Sequence, residues 1–86
     1  MTKNEKVQLF CYIATSRLFA TFINNKNQGV NFKWSTFLQI AGNHCRSHLC
    51  LTYPEFPYGC KYEQKAYELG KQIAETLVKE AGLAQN

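Results

Sequence analysis

The chain has 86 residues, 45% hydrophobic, 14% aromatic and 19% charged, with six Glu, no Asp and a formal net charge of +4. This suits one helical domain over 1–86, too apolar for a disordered chain and short enough that only about 60% of the unfolded chain's surface can be buried. The missing Asp removes the usual ligands of an EF-hand loop and the usual orienting member of a serine triad, and no GxxxxGKS/T or GxGxxG is present to cradle a phosphate.

The N-terminal MTKNEK is polar, and the apolar stretch from Leu9 to Ile23 is interrupted by Thr15, Ser16, Arg17 and Thr21. Neither a secretory signal nor a membrane span fits that pattern, so the protein is expected to be soluble and cytoplasmic. A first helix is expected from about Asn4 to Asn25, opened by a capping box of Thr2 and Glu5. Val7, Cys11, Ala14, Leu18 and Phe22 form one stripe, while Leu9, Phe10, Ile13, Phe19, Ala20 and Ile23 lie outside it. A helix apolar on more than one side is central to its fold or has an interface on one side. A homodimer seam through Phe10, Ile13 and Arg17 is the second option. The run Asn24-Asn25-Lys26-Asn27-Gln28-Gly29 then breaks the helix.

A second helix is expected from about Lys33 to His48, with Asn31 or Ser35 as caps and a face of Trp34, Phe37, Leu38, Ala41, Cys45, His48 and Leu49. Gly42 weakens its middle by up to ~1 kcal/mol relative to Ala. Residues 48–53 also read as a short strand, since Leu, Thr and Tyr fit a pleated surface. Tyr53-Pro-Glu-Phe-Pro-Tyr-Gly59 is an aromatic loop that its two prolines should keep extended. The third helix, about Lys61 to Ala81, carries an apolar stripe of Ala66, Leu69, Gly70, Ile73, Leu77 and Ala81. Gly82 stands at its C′ position, and Leu83 to Asn86 reads as a frayed tail. The fold class is therefore all-α, a small three-helix domain with an aromatic, Pro-containing loop before the last helix.

Both histidines and two of the four cysteines fall within His44–Cys50. Cys45, His48, Cys50 and Cys60 can be drawn as a Cys3His zinc set, and His44 and His48 share a helical face at the i,i+4 spacing of zinc-binding helices. Against zinc, there is no CxxC, and a thiol on a core face packs as a small hydrophobe. Buried thiols are the plainer expectation, with a Cys50–Cys60 disulfide as a further alternative. A Cys–His nucleophile can be assembled from Cys45 or Cys50 with His44 or His48, but almost any chain of this composition offers one, and no catalytic set is expected.

Tyr53, Phe56, Tyr58 and Tyr62 either close the core between the second and third helices or form a stiff recognition surface. Residues 1–50 hold six Lys/Arg against one Glu, and residues 51–86 four Lys against five Glu. The expected function is a small non-enzymatic interaction protein that binds, and inhibits or modulates, a larger protein or complex. The expected contacts are Tyr53, Phe56, Tyr58 and Tyr62 with Arg17, Lys33 and Arg46. Compact basic domains lacking a catalytic set are common among phage and plasmid accessory inhibitors, and that size class suggests the inhibitory role. The alternatives are a nucleic-acid-binding module, using the basic half and base stacking on the loop, and a small zinc-stabilised domain.

Overall fold

Three amphipathic runs, each stopped by residues that cannot continue it, form three α-helices in the computed structural model: α1 (Lys3–Asn27), α2 (Trp34–Thr52) and α3 (Tyr62–Glu80). The structure describes residues 1–84. Among them there is no strand, and no helix is long and apolar enough to cross a membrane. The architecture is the expected all-α, three-helix one.

The helix ends follow from local chemistry. Thr2 and Glu5 form the reciprocal capping box at the start of α1: the Glu5 carboxylate accepts from the Thr2 N–H at 2.8 Å, and the Thr2 hydroxyl accepts from the Glu5 N–H at 3.1 Å. The far ends of α1 and α3 close in the same way. Gly29 (φ 94°) and Gly82 (φ 73°) take the left-handed turn, and the N–H of the next residue bonds back across it: Val30 to the Asn25 carbonyl, Leu83 to the Val78 carbonyl, each at 3.0 Å. Leu83 is consequently packed against the apolar core instead of being frayed. The remainder of the expected tail, Gln85 and Asn86, lies outside the described residues.

The strand expected over 48–53 is absent, because α2 runs on to Thr52. Phe37, Ala41, Cys45 and Leu49 recur every four residues and are all fully buried, so the helical stripe continues past His48 until Pro54 forbids it. Tyr53, the residue before that proline, takes the extended conformation. Neither Asn31 nor Ser35 caps α2; its N-cap is Lys33, without a side-chain bond. The Pro-containing loop is also not extended. It folds into two turns, with the Phe56 N–H bonded to the Tyr53 carbonyl and the Cys60 N–H to the Pro57 carbonyl.

Those turns drive Phe56 into the core, where it is fully buried and meets Tyr62 edge-on at 5.1 Å and Tyr53 at 6.1 Å between ring centroids. Around it lie Val7, Cys11, Cys45, Leu49 and Ala66. A second cluster at the other end of the bundle centres on Trp34, Phe37, Ala41, Ala74 and Val78, with Phe19, Phe22 and Phe32 against it. Between the two clusters α2 and α3 come close. A Cβ at Gly70 would lie 2.8 Å from the Ala41 carbonyl oxygen and 2.9 Å from Cys45 Sγ, and one at Gly42 would lie 2.8 Å from Lys71 Cγ. The α2–α3 pair is the most extensive in the molecule, and α1 lies more loosely against both.

Two outcomes follow for urea unfolding. Phe56→Ala should cost about 3–5 kcal/mol, the usual result of emptying a large buried ring site, and so destabilise the whole fold. Gly70→Ala should be net destabilising by about 1–3 kcal/mol through overpacking, although alanine is the better helix former by up to ~1 kcal/mol. Unchanged or raised stability in Gly70→Ala would mean that α2 and α3 separate without cost.

Candidate functional site

Helix α1 buries one face and leaves another uncovered. Val7, Cys11 and Thr15 are fully buried, whereas Leu9, Tyr12 and Ile13 remain 47%, 59% and 41% exposed. Leu9, Ile13, Arg17 and Thr21 form a row at four-residue steps. Beside it, Phe10, Ala14 and Leu18 face the C-terminal half of α2. The α2 residues opposite them are His44, His48 and Thr52, again at four-residue steps, and these are polar. An apolar ridge facing a polar one does not close, and the gap is a cleft. Its deeper part, about 420 Å³, is lined by Met1, Lys6, Leu9, Phe10, Ile13, Ala14, Arg17, Thr52 and Tyr53. A continuation of about 300 Å³ shares Phe10, Ala14, Arg17 and Thr52 and adds Leu18, Thr21, His44 and His48.

No carboxylate lines either part. Lys6, at one end, is neutralised by Glu55, whose carboxylate its Nζ reaches at 2.5 Å. That hydrogen bond chiefly holds the Glu55 carboxyl below the usual range. Arg17, in the middle, forms no ion pair among the described residues. His44 and His48 stack at 4.0 Å between ring centroids. Burial first, and then the neighbouring His48, lower the His44 pKa, so this pair favours the neutral form of His44.

Of the residues expected to form a recognition surface, the structure brings Arg17 and Tyr53 together in this cleft. Tyr53 forms its end wall, edge-on to Phe10 at 5.7 Å. Phe56 and Tyr62 belong to the core, so the loop serves mainly to close it. Tyr58 alone projects, 65% exposed. Lys33 lies at the start of α2, and Arg46 stacks over Tyr67 at 5.3 Å and bonds to Asn43. Neither lines the cleft. Leu9, His44 and Thr52 were not expected as walls of a binding site. The available signal was the four-residue recurrence of polar residues on α2 opposite the second apolar stripe of α1.

The four residues drawn as a zinc set do not converge. Cys45 is fully buried, with the Thr15 hydroxyl 3.2 Å from its Sγ and the Cys11 carbonyl at 3.9 Å. His48, a turn further on, is exposed at the cleft and stacked on His44, away from the Cys45 sulfur. Among the described residues no three His, Cys or Glu side chains are placed to hold a metal ion. The thiols instead form two pairs. Cys11 and Cys45 bridge α1 and α2 in the core. Donation of its hydrogen to Cys45, and burial, push the Cys11 thiol well above its ordinary range, which leaves Cys45 the more acidic of the two. Cys50 and Cys60 are neighbours near the aromatic loop and are free thiols, not a disulfide. Burial, with Glu63 and Cys60 nearby, pushes the Cys50 thiol up. Neither imidazole bonds to any of these sulfurs, so the Cys–His combinations drawn from the sequence are not assembled.

Comparison of the chain with protein-family models, with curated proteins and with solved structures finds no match to any of them.

Iodoacetamide should label Cys60 first, as the only half-buried thiol among buried ones, and Cys11 and Cys45 only after unfolding; mass spectrometry of digests reads the order. In His48→Gln, His44 should titrate at higher pH than in the parent, because the repulsion is removed, yet still below a free imidazole because burial persists. A proton NMR titration measures this, and an unmoved His44 resonance would separate the two rings electrostatically.

Proposed function

We propose that the protein is a non-enzymatic interaction module, acting in the cytoplasm, that binds a larger protein or complex and thereby inhibits or modulates it. The observation that supports this reading is the uncovered face of α1. Large, exposed apolar side chains at Leu9 and Ile13 line a concave, carboxylate-free cleft on a chain of only 86 residues. A contiguous apolar surface on so small a molecule is costly to leave in water and is characteristic of interaction sites. The centre of the interaction accordingly moves from the aromatic loop to α1, with Arg17 and Tyr53 retained and Tyr58 as a peripheral contact. Binding of nucleic acid has less support. Three of the four loop rings that would stack on bases are partly or wholly inside the core, and Lys6 is already paired with Glu55.

The test is affinity purification from the native host with mass spectrometry, using the parent and two surface variants in parallel. A partner held by the parent and by Lys33→Ala, but lost by Ile13→Glu with its helical circular dichroism intact, is the expected result. Equal retention by Ile13→Glu removes the cleft from the interaction, and failure of the parent to retain any protein removes the reading itself.

A further inference from the structure

We propose that the cleft between α1 and α2 receives an acidic amphipathic α-helix of a partner protein, docked as a fourth helix of the bundle, with a partner carboxylate against Arg17. Such docking presupposes that the cleft binds protein, and it goes further in fixing the partner's shape and charge.

Shape comes first. Both long walls of the cleft are helices, and α1 contributes residues from Lys6 to Thr21. At 1.5 Å per residue that is about 22 Å, the length of roughly four helical turns. A helix laid there finds apolar side chains at the repeat a helix face reads, Leu9 and Ile13 on one side and Phe10, Ala14 and Leu18 along the floor. An extended peptide would find no strand edge to satisfy its backbone, since the described residues contain no strand. The concavity also suits a rod better than a flat bilayer surface.

Charge then selects the kind of helix. The row Leu9, Ile13, Arg17, Thr21 places one cation where the apolar series would continue. Arg17 lines both parts of the cleft and has no ion-pair partner among the described residues. The imidazoles of His44 and His48 stand on the facing wall, and no carboxylate is present on either. A helix covering this site removes water from the guanidinium, and an uncompensated buried charge is strongly unfavourable. A partner Asp or Glu offers the forked acceptor that a guanidinium matches. A second copy is a poorer match, since the lining of its own cleft holds Arg17 and no carboxylate, and the acidic residue on the same row of α1, Glu5, is already engaged by Thr2.

The experiment is a selection from a display library of randomised helical peptides of about 15 residues, a length set by the cleft. It is run in parallel against the parent, Ile13→Glu and Arg17→Glu, all checked for unchanged helical content. The expected result is a family of parent binders with apolar residues at i, i+4 and i+7 and an enriched Asp or Glu. Ile13→Glu should bind them about tenfold or more weakly. Arg17→Glu should select Lys or Arg at the enriched position instead, an exchange that a merely structural Arg17 would not produce. Selected helices that are neutral or basic in the parent overturn the charge assignment while leaving the cleft as a protein site. If no selected peptide is sensitive to Ile13→Glu, the helix proposal fails, although a partner found by affinity purification could still stand. Two parallel measurements cover the other occupants. A concentration-dependent dimer broken by Ile13→Glu, or Ile13-dependent binding to anionic phospholipid vesicles, overturns the proposal.

Discussion

The near-contact between α2 and α3 at Gly70 governs the rest of the molecule. With the Ala41 carbonyl and the Cys45 sulfur both within 3 Å of where a Cβ would lie, no other residue type fits there without displacing backbone. Ala41, Gly42 and Cys45 on one helix face Ala66, Gly70 and Ala74 on the other, and small residues on both sides are what let the two axes approach. Close approach fixes the partners of everything nearby. Cys45 is pressed against Thr15 and Cys11, which sets the position of α1, and Tyr67 is laid across Gly42, where Arg46 and Lys71 each lie 5.3 Å from its ring centroid.

The cleft is the consequence of where α1 is then left. Its Val7–Cys11–Thr15 face is drawn inward by the α2–α3 pair, so its Leu9–Ile13 face looks outward, and among the described residues neither α2 nor α3 covers it. A polar row of His44, His48 and Thr52 on α2 prevents α1 from rolling over to close the gap, because burying two imidazoles under apolar side chains would strip them of water. The arrangement is thus a stable compromise: one side of α1 is committed to the core, and the other stays available.

Much of the architecture could be read from the residues, because short-range signals determine it. The Thr2–Glu5 capping box and the Gly82 closure each depend on neighbours within a few positions, and both hold; the stripe of α3 is displaced, its buried line being Ala66, Gly70, Ala74 and Val78, with Leu69, Ile73 and Leu77 half-buried beside it and Ala81 exposed. The extension of α2 through 48–52 was harder to read. Leu49 and Cys50 suit a strand or a buried helix equally, and only the continuation of the four-residue stripe from Phe37 decides between them. The site was the least legible part. The aromatic loop carries every local feature of a recognition surface, yet Phe56 and Tyr62 are needed to fill space beneath it. The apparent zinc set dissolves because Cys45 is sealed in the core against Thr15 and Cys11, whereas His48, a turn further on, lies in the cleft against His44. Which second stripe of α1 stays uncovered is a property of the assembled bundle, although Phe10, Ile13 and Arg17 could already be singled out as a seam.

The two ends of the chain are not equivalent as points of attachment. Met1 lines the mouth of the cleft, so any sequence joined ahead of it emerges into the space a partner would occupy. Leu83 is pinned beside the Trp34 cluster at the other end of the bundle. A dye, an immobilising tag or a fused domain is therefore best placed at the C-terminal side, whereas the same addition at the N-terminus would compete with whatever the cleft receives.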